Sequence, residues 1–134
     1  MNRAAIPALG AAVLALVAAV MAQIDADRDI VPFFAALTVA ALGQAALLAD
    51  PADRWRRRGA WAIAGLWLVA AVWIGGLLLM HQVMCGCSMP APIEPERTYL
   101  GLTATIYHLA GLYGGLVLTS VAAWRARGPR ERTL

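Results

Sequence analysis

Residues 81–90 hold side chains that could bind a metal ion or exchange electrons. This short segment contains two thiols, two thioethers and an imidazole, namely Cys85, Cys87, Met84, Met89 and His81. Thiolates and thioethers are the soft ligands that Cu(I) prefers, and a Cys-x-Cys pair can place two sulfur atoms on one ion. The pattern therefore predicts a segment that could capture Cu(I) or another soft metal.

Two other interpretations of Cys85 and Cys87 stay open. The pair could form a tight disulfide across Gly86 or bond to a partner chain, because free thiols do not persist in an oxidising compartment. The spacing differs from the Cys-x₂₋₄-Cys frameworks of zinc sites and from the Cys-x-x-Cys of thioredoxin-like enzymes. A thiol oxidoreductase is the least favoured hypothesis, because the chain has no second cysteine pair to relay electrons.

A second candidate site lies near the C-terminus, where small and polar residues recur at intervals of three and four. Residues with this spacing share one helix face, and Gly111 and Gly115 form a Gly-x-x-x-Gly pair that lets another helix approach closely. We expect this face to pack within the protein or to dock onto a partner. Its members are Gly101, Thr105, His108, Gly111, Gly115 and Thr119.

His108 falls on this face, close to the middle of an apolar stretch. A buried histidine more often hydrogen-bonds a neighbouring helix, and Gln44 is a candidate partner. A haem bound by two histidines would need a second buried one, but His81 lies at the expected end of a helix. We therefore expect any haem to belong to partner chains.

Helices that cross a membrane must position these residues. The chain has 134 residues, of which 61% are hydrophobic and 14% charged, and its mean hydropathy is +0.67. Four apolar stretches, at residues 4–22, 31–49, 60–80 and 99–124, each provide about the 20 residues that a helix needs to cross the hydrocarbon. The predicted fold is an all-α, single membrane domain of four antiparallel transmembrane helices. A cleaved signal peptide is the alternative for the first stretch.

The distribution of arginine predicts the orientation. Of the 11 arginines, only Arg28 and Arg97 lie in the first and third loops; the others lie at the N-terminus, in the second loop or in the tail. Positively charged loops stay in the cytoplasm, so we expect both termini there, residues 81–98 as an outward loop, and the protein in the cytoplasmic (inner) membrane. Lipid contact and interfacial anchoring are the expected roles of Trp61, Trp67 and Trp73.

Composition also excludes several functions. The arginines form no patch interleaved with aromatic residues, which excludes nucleic acid as a partner. The four stretches contain no Asp, Glu, Lys or Arg, whereas pumps and ion-coupled transporters usually carry charge inside the membrane. Because the chain also has no soluble domain, we expect no catalytic activity of its own.

The last stretch resembles a signature of subunit III of the haem-copper oxidases. Residues 105–116, TIYHLAGLYGGL, followed by a basic tail, are similar to that family's Thr-Gly-Phe-His-Gly-Leu-His and Gly-Gly-Leu in its penultimate and last helices. His108 matches the first histidine of the pattern and Gly115 its second glycine. Residues 46–58 and 60–82 are similar to the family's helix, short basic loop and next helix.

The chain departs from that family in four respects. Gly111 replaces the second histidine, the intramembrane acidic residue is missing, four stretches stand where the family has five to seven helices, and Cys85-Gly86-Cys87 has no counterpart. The resemblance implies a subunit that binds no redox metal, packs beside a catalytic subunit, holds lipid and stabilises the assembly. We therefore predict a non-catalytic accessory subunit of a larger membrane complex, with a respiratory haem-copper oxidase as the leading candidate. A membrane protein that handles copper through its outward loop is the alternative.

Overall fold

Helices make up most of the described chain. The computed structural model describes residues 2–25, 28–50, 53–85 and 98–127. Helix α1 spans Ala5–Ile24, α2 spans Val31–Ala49 and α3 spans Arg54–Cys85; the fourth helix consists of α4 (Ala104–Leu109), a π-helical turn (Ala110–Gly114) and α5 (Gly115–Arg125). All four are long and apolar enough to cross a membrane, which confirms the predicted number of membrane-length helices within the described residues.

Alanine forms the contact surface of α1, which packs against both α2 and the fourth helix. The fully buried alanines recur along one side of α1, and they are Ala8, Ala11, Ala15, Ala18 and Ala22. Because alanine adds only a methyl group, neighbouring backbones can approach closely, which is how apolar helices associate where lipid removes the hydrophobic driving force. In the most apolar window of α1, 56% of the residues are buried, compared with 22% in α3. Helix α1 is therefore central and α3 peripheral.

Helix α3 is longer than its apolar stretch predicted. The prediction covered residues 60–80, whereas the helix begins at Arg54 and ends at Cys85. Hydropathy detects only the apolar middle of a helix, while arginine, a good helix former, continues the helix beyond it. The predicted outward loop at 81–98 therefore begins later than expected, and its residues 86–97 lie outside the described residues.

The fourth helix also begins later than predicted. The apolar pattern predicts helix from residue 99, but Thr98–Tyr99 (β1) and Leu102–Thr103 (β2) form a small antiparallel hairpin. Leu100 and Gly101 connect the two strands with φ angles of 52° and 81°, the positive values that a tight hairpin turn requires. The prediction that Gly101 shares the helix face is therefore wrong, because it is a turn residue and the helix begins only at Ala104.

Two tyrosines attach this hairpin to the bundle. The Tyr99 hydroxyl donates to Asp25 Oδ1 at 3.2 Å, just after the end of α1. The Tyr107 hydroxyl donates to the Tyr99 carbonyl at 2.8 Å. The hairpin therefore caps the end of the bundle at which α1 finishes and α4 begins.

Candidate functional site

His108 and Gly111 pack against α1 and α2. The His108 ring stacks on the ring of Phe34, with 5.4 Å between the centroids and 27° between the planes. A Cβ on Gly111 would lie 2.7 Å from the Cβ of Ala18 and 3.3 Å from the Phe34 ring, so this position has room only for glycine. Thr105, in contrast, lies on the exposed side of α4. The predicted face therefore packs within the chain at Gly111 but does not extend as one buried surface to Thr105.

Gly115 packs on a different helix from Gly111. The fully buried ring of Trp67 lies directly on Gly115, where an added Cβ would overlap it. The π-helical turn inserts an extra residue into the repeat and so rotates the residues after it by about 100° relative to a regular α-helix. The two glycines therefore contact α1 and α3 instead of forming one docking face. Trp67 is a core residue, and the expectation that it contacts lipid is wrong.

Gln44 links three helices inside the bundle. Its Nε2 donates to the Ala60 carbonyl at 2.8 Å and to the Thr119 carbonyl at 3.0 Å. The Thr119 hydroxyl in turn donates to the Gly115 carbonyl at 2.9 Å. Gln44 thus bonds to α3 and α5, while its expected partner His108 stacks on Phe34. These buried polar groups are structural contacts between helices.

The predicted soft-metal residues lie at and beyond the end of α3. His81, Met84 and Cys85 belong to its last turns, where side-chain positions are not described, and Cys87 and Met89 lie outside the described residues. In the part of the chain that the structure describes, no three His, Cys, Asp or Glu residues come together to hold a metal ion. The soft-metal segment stays a prediction.

A basic cleft at the opposite end of α3 was not predicted as a site. It is open, has a volume of about 380 Å³, and is lined by Arg54, Arg57, Arg58, Trp61 and Arg127. The Arg127 guanidinium lies 4.6 Å from the centroid of the Trp61 ring and 4.4 Å from that of Trp124, which is cation–π geometry. The predicted role of these arginines was limited to setting the membrane topology. The missed signal was their spacing, because positions 54, 57, 58 and 61 share one helix face.

An apolar groove lies next to the basic cleft, along α3 and α5. The groove has a volume of about 310 Å³ and is lined by Trp61, Ala64, Gly65, Leu68, Leu116 and Ser120. Trp61 lines both spaces, so the cleft and the groove lie on either side of this residue. A Cβ at Gly65 would meet nothing within 4 Å, so the groove has free space at this position.

Comparison of the chain with protein-family models, curated proteins and solved structures gives no match. The described fold and sites define the class as a helical protein with four membrane-length helices. The resemblance of residues 105–116 to subunit III of the haem-copper oxidases stays a prediction.

Proposed function

We propose that the protein is inserted in the cytoplasmic membrane, with both termini in the cytoplasm, and is a non-catalytic accessory subunit of a larger membrane complex. The observation that carries this proposal is an uncovered apolar face on α3, which we call the α3 outer stripe. It consists of Leu66, Val69, Trp73 and Leu77, which are 53%, 65%, 69% and 50% exposed. These positions recur at intervals of three and four and therefore share one face.

The bundle interior supports a structural role. The side chains of Gln44, Thr38 and Thr119 donate to backbone carbonyl groups of the same chain. The membrane-length helices carry no Asp, Glu, Lys or Arg between residues 60 and 80 or in the other three predicted spans. Ion and proton pathways usually need such groups facing a cavity, so a packed, partner-binding subunit suits this interior better than a transporter.

Helix α3 is longer than the hydrocarbon layer is thick. The helix has 32 residues, which at 1.5 Å per residue corresponds to about 48 Å. The hydrocarbon layer is only about 30 Å thick. A helix of this length extends beyond the hydrocarbon, and its exposed Trp73 offers a rigid aromatic contact. In this proposal a transmembrane helix of a partner subunit, in place of the lipid expected from the sequence, covers Trp73 and the rest of the α3 outer stripe.

A respiratory haem-copper oxidase is the proposed complex. The support for this step is the resemblance of residues 105–116 to subunit III, together with an interior built for packing. In this role the haem belongs to partner chains, and His108 serves the packing of its own bundle against Phe34.

Purification of the tagged protein in mild detergent, followed by a reduced-minus-oxidised optical spectrum, tests the proposal. We expect haem bands from chains that co-purify with it. A colourless protein that purifies alone would contradict the accessory role, and haem-containing partners of a different complex would contradict the oxidase assignment.

A pair of valine substitutions tests the α3 outer stripe. Val69 on α3 and Val39 on α2 are 65% and 69% exposed, so Val69→Trp and Val39→Trp add the same bulk to two uncovered surfaces. We expect Val69→Trp to lower the haem content of the purified sample severalfold and Val39→Trp to leave it unchanged. Equal haem content in the two variants would rule out docking through the stripe. Substitution of Gly111 or Gly115 is unsuitable here, because both pack inside the chain.

Handling of a soft metal is the second candidate function. Helix α3 continues through Cys85, so positions 81, 84 and 85 fall within about one helical turn and share one side of the helix. In this proposal Cys85 and Cys87 are the primary Cu(I) ligands, and Met84, Met89 and His81 assist them. We expect the double variant Cys85→Ser, Cys87→Ser to lose stoichiometric Cu(I) binding, and full binding by that variant would exclude this function.

A further inference from the structure

One face of α3 changes from basic to apolar along its length. Arg54, Arg57 and Arg58 are followed by Trp61 and then by Gly65, with spacings of three and four that keep them on one side of the helix. In the structure this face borders α5, first as the basic cleft and then as the apolar groove. A charged cleft and an apolar groove therefore lie next to each other on this face, with Trp61 bordering both.

The basic cleft has the composition of a phosphate site. Four guanidinium groups line the cleft, and none of the four forms an ion pair within 4.0 Å with a carboxylate of the described residues. The ion pair of this region, between Arg56 and Asp50 at 3.9 Å, lies outside the cleft. Arginine presents a planar fork of N–H donors that fits phosphate oxygens. A phosphate in the cleft would relieve the mutual repulsion of these cations, which no carboxylate of the described residues neutralises.

The apolar groove has the composition of an acyl-chain site. Ala64, Gly65, Leu68 and Leu116 line most of it, and Trp61 forms its border with the cleft. Tryptophan is typical of the boundary between headgroups and hydrocarbon, which is where the phosphate and the chains of a lipid meet. An inorganic phosphate ion would fill only the cleft and would leave the groove uncovered.

We propose that the basic cleft and the apolar groove together bind one anionic phospholipid. Its phosphate lies against Arg54, Arg57, Arg58 and Arg127, and one acyl chain lies along Gly65 and Leu116. A zwitterionic lipid carries a cationic headgroup that the four arginines repel, so the site selects negative lipids. This inference rests on the proposed membrane insertion but does not require the accessory role.

Native mass spectrometry of the delipidated protein in detergent is the test. Phosphatidylglycerol and phosphatidylcholine with identical acyl chains are the probes, and inorganic phosphate is the competitor. We expect phosphatidylglycerol to bind at least about tenfold more tightly than phosphatidylcholine, a difference that salt reduces because screening weakens exposed charges. Equal binding of the two lipids would overturn the proposal. Displacement of the bound lipid by millimolar phosphate would do so too, because it would reveal a simple anion site.

Matched variants separate the two ends of the site. Arg57→Gln combined with Arg127→Gln removes two cleft charges, and we expect it to weaken phosphatidylglycerol binding about tenfold or more. Its control is Arg56→Gln combined with Arg3→Gln, which removes the same charge outside the cleft and leaves binding unchanged. Equal losses in the two double variants would show a nonspecific effect of net charge and would overturn the proposal.

Two glycine substitutions test the groove. A Cβ on Gly65 or on Gly43 would meet nothing within 4 Å, so Gly65→Leu and Gly43→Leu should both fold, with equal melting temperatures as the check. We expect only Gly65→Leu to weaken phosphatidylglycerol binding, because its side chain fills the groove. Equal affinity of both variants for phosphatidylglycerol would contradict an acyl-chain site in the groove. Extraction of the protein from membranes by alkaline carbonate would instead contradict membrane insertion. Failure of the lipid-site proposal can therefore be distinguished from failure of the proposed membrane insertion.

Discussion

Gly115 and Gly43 are both helical glycines, yet the structure gives them opposite roles. The Trp67 ring occupies the space above Gly115, whereas a Cβ on Gly43 would meet nothing within 4 Å. Because Gly115 has no side chain, Trp67, the largest fully buried side chain of the described core, can pack between the helices. At Gly43 glycine only adds backbone freedom to α2, which weakens a helix.

Alanine at these two positions should therefore change stability in opposite directions. Gly115→Ala overpacks the contact with Trp67 and should cost about 1–3 kcal/mol in the free energy of unfolding. Gly43→Ala should stabilise the protein by about 0.5–1 kcal/mol, the difference in helix propensity. Thermal unfolding in one detergent, followed by circular dichroism, measures both. A Gly115→Ala variant as stable as Gly43→Ala would contradict the packing of Trp67 on Gly115.

The hairpin before the fourth helix is an element that the apolar pattern did not predict. The prediction counted residues 99–103 with the fourth apolar stretch, but the backbone reverses at Leu100 and Gly101. Leu100 adopts a φ of 52° although it is not glycine, a conformation that costs L-residues about 1–2 kcal/mol. It is also 99% exposed, so no packing of its side chain offsets that cost. The bonds from Tyr99 and Tyr107 hold the turn in place.

Substitutions in the turn should follow the backbone angles. Gly101→Ala places a Cβ in open space but at a φ of 81°, so we expect a loss of about 1–2 kcal/mol in hairpin stability from the backbone alone. Leu100→Asn should stabilise the hairpin, because asparagine tolerates positive φ better. Hydrogen exchange of the amides of residues 98–103 should be faster in the first variant and slower in the second. Leu100→Ala is the control, and we expect it to leave the exchange rates unchanged. Faster exchange in Leu100→Asn would contradict the positive φ of residue 100 in this turn.

At the scale of the whole molecule, the two ends of the bundle differ in chemistry. One end has the basic cleft around Arg57 and the exposed Trp55, and the other end has the hairpin with Leu100 at its tip. The helices have the length and apolarity to place these two ends on opposite sides of a membrane. The proposed orientation puts the basic end in the cytoplasm, since basic segments resist translocation.

Single cysteines at the two ends test this orientation. In a Cys85→Ser, Cys87→Ser background, Trp55→Cys and Leu100→Cys place a thiol at positions that are 76% and 99% exposed. We expect a membrane-impermeant maleimide to label residue 100 in right-side-out vesicles and residue 55 only in inverted ones. The reverse pattern would contradict the proposed orientation, and labelling of both positions in right-side-out vesicles would contradict membrane spanning.

The sequence by itself determined the number and approximate position of the membrane-length helices, because hydropathy is a sum over local composition. It also indicated that Gly111 and Gly115 allow close helix packing, because their Gly-x-x-x-Gly spacing is a property of the sequence alone. It could not show that the two glycines contact different helices, because a π-helical turn leaves no mark in the apolar pattern. The burial of the Trp67 side chain and the backbone turn at Gly101 could not be predicted from the sequence either.

Only the tertiary structure decided how distant residues combine. Arg57 and Arg127 lie 70 positions apart in the sequence, and the contact between α3 and α5 brings them to one cleft. Gln44 likewise bonds to helices on both sides of it, at Ala60 and Thr119. Local composition carries no information about which helix faces meet, since apolar helices in lipid are matched by shape and by a few hydrogen bonds. The helices follow from local hydropathy, whereas the basic cleft and the apolar groove follow from their packing.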